Sequence, residues 1–224
     1  AGTRDVERSR GLGDVYKRQA QGAEAVLYKE GDILVKERVK KSYRISQIDN
    51  KLRKSRTNLE AKLLREARRV GVMTPQIKDI SANKLKMQFV HGIRVKDALN
   101  NDNLHVIAQK MGRSVAKLHE YNIIHGDLTT SNMILEGDPD KNISLESAKL
   151  FLIDFGLGFH SSRIEDKATD LYLLYHAIES THWNIMDELW GSVLKSYKTN
   201  FQEAQKVIKT LSDIEKRGRY RQRS

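Results

Sequence analysis

Residues 125–132 read His125-Gly126-Asp127-Leu128-Thr129-Thr130-Ser131-Asn132, and residues 152–156 read Leu152-Ile153-Asp154-Phe155-Gly156. Each polar turn adjoins a short apolar run: Met133-Ile134-Leu135 follows the first, and Leu150-Phe151-Leu152-Ile153 leads into the second. Short apolar runs bounded by polar turns predict buried strands. Two such strands would hold Asp127, Asn132 and Asp154 rigidly, as a metal site requires. Taken singly, each turn has a plainer reading. His125 and Asp127 can close a hydrogen-bonded turn, Asn132 can act as a cap, and Asp154-Phe155-Gly156 can end a strand. Both turns together, in this order, favour a site.

Transfer of a phosphoryl group from ATP needs a carboxylate to orient and deprotonate the attacking oxygen, and oxygen ligands that hold Mg2+ against the phosphates. Asp127 fits the first role, and Asn132 and Asp154 fit the second. The interval from Asp127 to Asn132 matches the H-R-D-x-x-x-x-N loop of protein kinases, and Asp154 opens a D-F-G. The expected fold is therefore α+β: a reduced, two-lobed, protein-kinase-like fold with a small β-rich N-lobe and a truncated helical C-lobe.

Upstream, Gln21-Gly22-Ala23-Glu24-Ala25 is a small-residue turn before an apolar strand, and Gly22, Ala23, Glu24 and Ala25 are candidate phosphate-loop residues. One glycine stands where a kinase loop has three, so an ordinary hairpin is the competing reading. Lys36 ends the next apolar strand, from which it can reach inward to phosphates. Glu60 is its candidate acidic partner. Ile48, Leu52, Leu59, Leu63, Ala67 and Val70 recur at helical spacing and predict one long helix over residues 46–70. Glu60 borders that stripe; a surface ion pair is the plainer alternative. The turn at residues 71–75 stops the helix. Residues 76–80 and 84–90 then read as strands, and backbone groups near Gln88 and Val90 are the candidates for holding adenine.

Downstream, Leu104, Ile107, Met111, Val115 and Leu118 predict a buried helix over residues 103–121 that positions the 125–132 loop. Residues 136–147 read as a surface loop. Nine residues separate Gly156 from Asp166, too few for the full activation segment of a regulated protein kinase. Residues 166–180 predict a helix with Leu171, Leu174 and Ile178 on one face. Trp183, Trp190, Tyr197 and Phe201 suit core packing better than base stacking.

The chain has no cysteine, which excludes disulfides, thiolate nucleophiles and cysteine metal sites. No apolar run approaches the length of a membrane span, so a soluble, intracellular protein without membrane partners is expected. The net charge of +11 is concentrated: residues 36–56 hold nine Lys or Arg against two acids, and residues 216–224 hold five basic residues and no acid. Lys216, Arg217, Arg219, Arg221 and Arg223 are candidate nucleic-acid contacts; a solubilising tail is the alternative. Residues 1–19 are expected to be a non-native or disordered leader. Asp14-Val15-Tyr16-Lys17-Arg18-Gln19 resembles the translation of a sequencing-transposon end, and the first N-lobe strand would fall inside it. The expected organisation is thus leader 1–19, N-lobe 20–90, C-lobe 91–215 and basic tail 216–224.

The Gln21–Ala25 turn, Lys36 with Lys41-Ser42-Tyr43-Arg44, Glu60-Ala61, HGDLTTSNM, LIDFGL and Glu165-Asp166-Lys167-Ala168-Thr169-Asp170-Leu171-Tyr172 together resemble the PRPK family. These are small atypical Ser/Thr kinases of the KEOPS (EKC) complex. The resemblance runs from about residue 20 to the end. It implies ATP and Mg2+ as cofactors, with Lys36 and Glu60 as the phosphate lysine and its partner, Asp127 as the catalytic aspartate, and Asn132 and Asp154 as metal ligands. It also implies support of tRNA threonylcarbamoyl-adenosine formation, with a threonylcarbamoyl-transferase subunit, a small N-lobe-binding subunit and tRNA as partners, in cytoplasm and nucleus. Gly126 stands where most protein kinases carry arginine, consistent with the short segment after Gly156. Thr169, Tyr175 and Trp183 depart from the family pattern, as does the residue 217–221 tail. A RIO-type or small-molecule phosphotransferase and a catalytically idle scaffold are the alternative readings.

Overall fold

A computed structural model of the chain describes residues 17–21, 25–137 and 144–221, with side chains from 25 to 137 and from 144 to 217. Five strands build the first lobe: β1 (Lys17–Gln21), β2 (Ala25–Glu30), β3 (Ile33–Arg38), β4 (Ile77–Ile80) and β5 (Lys84–Gln88). They form one antiparallel sheet in the order β1-β2-β3-β5-β4, with β3 at its centre. The β2–β3 hairpin turns on Gly31 and Asp32, and Gly31 has φ +55°, a conformation glycine adopts without the steric cost of a side chain. The leader boundary drawn after residue 19 falls inside β1, whose Lys17 and Arg18 pair with Lys29 and Tyr28.

Helix α1 (Ser46–Arg69) packs against β4 and β5 of this sheet. Beyond Glu60 it follows the sequence expectation, with Leu63, Leu64 and Ala67 fully buried; each leucine contributes about 1.5–3 kcal/mol of burial. The stretch up to Glu60 does not. Ile48, Leu52 and Leu59 are 53%, 39% and 40% exposed, while Asp49, Thr57 and Glu60 face inward. The inner stripe there is polar and ion-paired: Asp49, which has no solvent exposure, accepts from Arg53 Nε at 2.7 Å and from the Lys41 backbone N–H at 3.3 Å. Satisfied polar groups can take the buried face, which leaves the apolar ones outside.

The second lobe begins at β6 (Gly92–Arg94), the short α2 (Val95–Ala98) and α3 (Leu104–Glu120). There follow β7 (Ile123–Ile124), β8 (Met133–Glu136), β9 (Leu150–Leu152), β10 (Phe159–His160), α4 (Ile164–Thr181), α5 (Met186–Asn200) and α6 (Ala204–Arg221). All five predicted core residues of α3 are buried, as are Leu171, Leu174 and Ile178 of α4. Helix α3 packs on α5, and α4 on α6. Strands β6, β8 and β9 form one small sheet; β7 and β10 form another. Tyr197 and Phe201 are core residues, but Trp183 is 79% exposed. It sits in a short 3-10 turn between α4 and α5. Residues 216–221, read as tail from composition, continue α6 to Arg221.

Candidate active site

The two turns singled out in the sequence lie together at the end of the β8–β9 pair. Met133 pairs with Leu152, which brings the residue before one strand next to the residue after the other. The Ile153 N–H donates to the Asn132 carbonyl at 3.0 Å. His125 is fully buried and links the turns through its side chain. Its Nε2 meets the Ile153 carbonyl at 3.1 Å, its Nδ1 accepts the Asp127 N–H at 3.3 Å, and its ring lies against Phe155 at 4.5 Å. A proton on Nε2 satisfies both hydrogen bonds. Asn132 Nδ2 donates to the Asp127 carbonyl and to Asp127 Oδ2, each at 2.9 Å, so Asp127 is aimed by Asn132.

Asp170, in the middle of α4, anchors the loop from below. It has no side-chain exposure and accepts the backbone N–H groups of His125 at 2.8 Å and Gly126 at 2.9 Å. His119 reaches it at 3.3 Å and is itself joined to Tyr197 Oη at 2.8 Å. Complete burial works to raise the Asp170 pKa, but the His119 hydrogen bond, the neighbouring His119 and His125 rings and the His125 amide outweigh it and hold the carboxyl below the ordinary range. Burial, then the charges of Asp170 and Glu203, push the Tyr197 phenol up, so it remains an O–H donor. One turn earlier on α4, Lys167 Nζ donates to Asn122 Oδ1 at 2.9 Å; Asn122 holds a left-handed φ of +59° just before β7. The Lys167 and Asp170 positions of the 165–172 motif thus fix both ends of the segment entering the loop.

Between the lobes lies a cleft of about 260 Å³. Leu27, Leu34, Met87, Ile134 and Ile153 give it apolar walls, and Lys36, Glu60, Asn132 and Asp154 sit at its polar end. Lys36, 8% exposed, bridges Glu60 Oε1 at 2.8 Å and Asp154 Oδ1 at 2.6 Å. Glu60 Oε2 receives Arg38 Nη2 at 2.7 Å. Burial works to lower the Lys36 pKa; Glu60 and then Asp154 outweigh it, so the ammonium lies above the ordinary lysine value. Burial likewise works to raise the Asp154 pKa, and Lys36, helped by the Gly156 N–H, holds it below the carboxylate range. Asp154 has φ +62°, a costly conformation for a residue with a Cβ, of the kind that gathers at functional sites.

Asp127, Asn132, Asp154, Lys36 and Glu60 are brought together as the sequence predicted. Gln88 and Val90 line the cleft, but the Gln88 N–H is committed to the Gln76 carbonyl at 2.8 Å, so that amide is not offered to a base. Of the loop residues, Ala25 is buried at the start of β2, while Gly22, Ala23 and Glu24 lie outside the described residues. Lys216 and Arg217 are exposed on α6. Arg219 and Arg221 are described only in backbone, and Arg223 lies outside. Sequence reading missed Arg38, His119 and Asp170. For Asp170 and Arg38 a signal existed: Asp170 lies in the quoted motif, and Arg38 shares the inward face of β3 with Lys36 by strand alternation.

Gly126 has φ +78°, and a Cβ there would lie 2.3 Å from the Leu157 carbonyl oxygen. Any side chain is therefore excluded by backbone, which accounts for glycine where kinases carry arginine. Gly126→Ala is expected to lower stability by about 2 kcal/mol or more, as measured by urea denaturation.

The donor set fits a divalent cation and a nucleotide. Asp154 and Asn132 offer hard oxygen ligands. Among the described residues no cluster of three or more His, Cys, Asp or Glu could cage a metal alone. Such a site suits Mg2+, which takes one or two protein ligands and completes its shell with phosphates and water.

Comparison with known proteins gives a consistent picture. Residues 23–156 match the RIO domain family. The chain is 38% identical over 221 residues to the KEOPS complex subunit Bud32 of Pyrococcus abyssi, covering 91% of this chain and 96% of that one. It is 41% identical over 204 residues to a probable bifunctional tRNA threonylcarbamoyladenosine biosynthesis protein of Methanosarcina mazei, covering 89% of this chain and 35% of that one. It thus spans about a third of the length of the bifunctional relatives it matches. In fold it is similar to WaaP solved in complex with acyl carrier protein (TM-score 0.63, 14% identity, 92% of this chain and 88% of that one). It is also similar to the Rio2 kinase of Chaetomium thermophilum solved as an ADP/Mg2+-phosphoaspartate complex (TM-score 0.57, 13% identity, 90% and 70%). The chain belongs to the RIO-domain family of kinase-like proteins, within its Bud32, or PRPK, branch.

Proposed function

We propose that the chain is an ATP-hydrolysing atypical Ser/Thr kinase that acts as a subunit of a KEOPS-type complex in threonylcarbamoyl-adenosine modification of tRNA, in cytoplasm and nucleus. The observation that carries the reading is the cluster of Lys36, Glu60, Asn132 and Asp154 in the lining of an apolar cleft, with Asp127 hydrogen-bonded to Asn132 beside it. The apolar walls suit a flat purine. Lys36, kept charged by Glu60, is within reach of phosphates, and Asp127 is oriented by Asn132 to accept the proton of an attacking hydroxyl or water. Asn132 and Asp154 would hold Mg2+, whose charge would stabilise the transferring phosphoryl group.

Two exposed apolar regions support the subunit reading. Tyr43, Ile45, Ile48 and Leu52 lie on the small lobe, and Leu157 and Phe159 follow the Asp154 turn. The first suits a small N-lobe-binding subunit and the second a transferase subunit docked beside the active site. The Pyrococcus abyssi relative supports it too, since it is named as a KEOPS subunit and is matched over nearly its full length. Static light scattering with the purified transferase subunit should detect a complex at tens of micromolar. No association well above a micromolar Kd, roughly −8 kcal/mol, would leave a free-standing phosphotransferase as the better account.

The basic end of α6 is proposed to bind tRNA phosphates. Replacing Lys216, Arg217, Arg219, Arg221 and Arg223 by glutamine should weaken tRNA binding. It should also flatten its log–log salt dependence by roughly 0.7–0.9 for each phosphate that is no longer neutralised. Filter binding across a salt series checks this; an unchanged affinity and slope would assign the segment to solubility alone.

A further inference from the structure

Glu60 is 1% exposed and carries two cations, one on each carboxylate oxygen: Lys36 Nζ on Oε1 at 2.8 Å and Arg38 Nη2 on Oε2 at 2.7 Å. The two cations have different demands on them. Lys36 is also bound to Asp154 at 2.6 Å, and to work on phosphates it must turn away from that carboxylate toward the cleft. Arg38 sits deeper, with a side chain 6% exposed. Its own strand is fixed: its N–H donates to the Asn83 carbonyl at 2.9 Å, and its carbonyl accepts from Arg53 Nη1 at 3.4 Å. Arg53 in turn is clamped to the buried Asp49 on α1. A Cβ on Gly156 would come within 3.3 Å of Arg38 Nη2 and 3.5 Å of Lys36 Nζ, so the glycine two residues after Asp154 lies beside both cations. Arg38 therefore touches β3, α1 and the Asp154 turn at once.

We propose that Arg38 is the positioning residue that holds Glu60, and with it α1, in place while Lys36 exchanges Asp154 for phosphate. Its purpose rests on the phosphoryl-transfer reading. A carboxylate as deeply buried as Glu60 cannot be left with a partner that moves, because one uncompensated charge in the interior is strongly destabilising. A guanidinium is suited to the fixed role, being always charged and planar, and the lysine ammonium to the mobile one, being compact on a flexible stem. In kinases with a long activation segment, phosphorylation of that segment helps control placement of the equivalent helix. Here the segment between Gly156 and Asp166 is short, and Arg38 supplies a permanent substitute. The inward position of α1 is then constitutive, and the site needs no activating modification to assemble.

The test compares Arg38→Gln, Arg38→Lys and Lys36→Gln with the unsubstituted full chain, by amide hydrogen exchange of the α1 segment around Glu60 without nucleotide and by ATP kinetics. Arg38→Gln should speed α1 exchange about tenfold or more, Lys36→Gln less than about threefold, and Arg38→Lys should recover most of the protection. In kinetics, Arg38→Gln should raise the KM for ATP about tenfold, because Glu60 then competes with phosphate for Lys36, and should lower kcat by a smaller factor. A residue that merely stabilised the lobe would lower the active fraction and leave KM unchanged. Lys36→Gln loosening α1 as much as Arg38→Gln, or an Arg38→Gln protein with unchanged exchange and KM, would overturn the proposal. The exchange comparison needs no nucleotide, so it decides the role of Arg38 separately from whether the unsubstituted chain turns over ATP.

Discussion

Asp154→Asn is expected to reduce magnesium-dependent ATP turnover by about 10²–10³-fold while the protein stays folded. The substitution keeps the shape of the side chain and removes the charge that would bind the cation. Asparagine is the better probe because position 154 sits at φ +62°, where asparagine is tolerated and most side chains are strained. Asp154→Ala should show the same catalytic loss with an added stability cost of about 1–2 kcal/mol. Phosphate release measured beside a thermal melt separates the two effects. Turnover unchanged in a folded Asp154→Asn protein would remove the basis for assigning the cleft to phosphoryl transfer.

Asp170→Ala is expected to cost about 3–5 kcal/mol of stability. Its carboxylate, itself buried, satisfies the backbone N–H groups of buried His125 and partly buried Gly126 and faces buried His119; removing it leaves those groups without their acceptor. The sign of the associated pH dependence follows from its depressed pKa. The stabilisation is fully present above the unfolded aspartate value of about 3.9 and is lost as pH falls through the lower folded value. Urea denaturation between neutral and acid pH should thus show a loss on the acid side that is diminished in Asp170→Asn. A ΔΔG below about 1 kcal/mol for Asp170→Ala would mean the loop is held by other interactions.

The candidate site was legible in the sequence because its parts are local. Asp127 and Asn132 lie in one turn, Asp154 opens another, and each is followed or preceded by an apolar strand whose burial requires little inference. The Lys36–Glu60 pairing, though long-range, was legible because Lys36 ends an apolar strand and Glu60 borders the helix stripe, both in the expected order before the two later turns. What periodicity could not give was the face of α1 up to Glu60. Ile48, Leu52 and Leu59 satisfy helical spacing as well as the true inner stripe does, and only the ion pairs of Asp49 and Glu60 decide between them. Arg38 was hidden in a basic run that reads as a solvated surface. His119 was hidden in an apolar helix, where its role depends on Tyr197 and Asp170 arriving from distant segments. Trp183 was misread for the complementary reason: aromatic type predicts burial on average, and here the turn after α4 leaves it uncovered.

The central claim is that this cleft transfers the terminal phosphoryl group of ATP. The most direct measurement is phosphate release from γ-labelled ATP by the purified chain, with and without Mg2+, alone and with the transferase subunit and tRNA. The predicted result is release that requires Mg2+ and depends on the complex or on tRNA for its full rate. Absence of Mg2+-dependent release under every one of these conditions would contradict the claim.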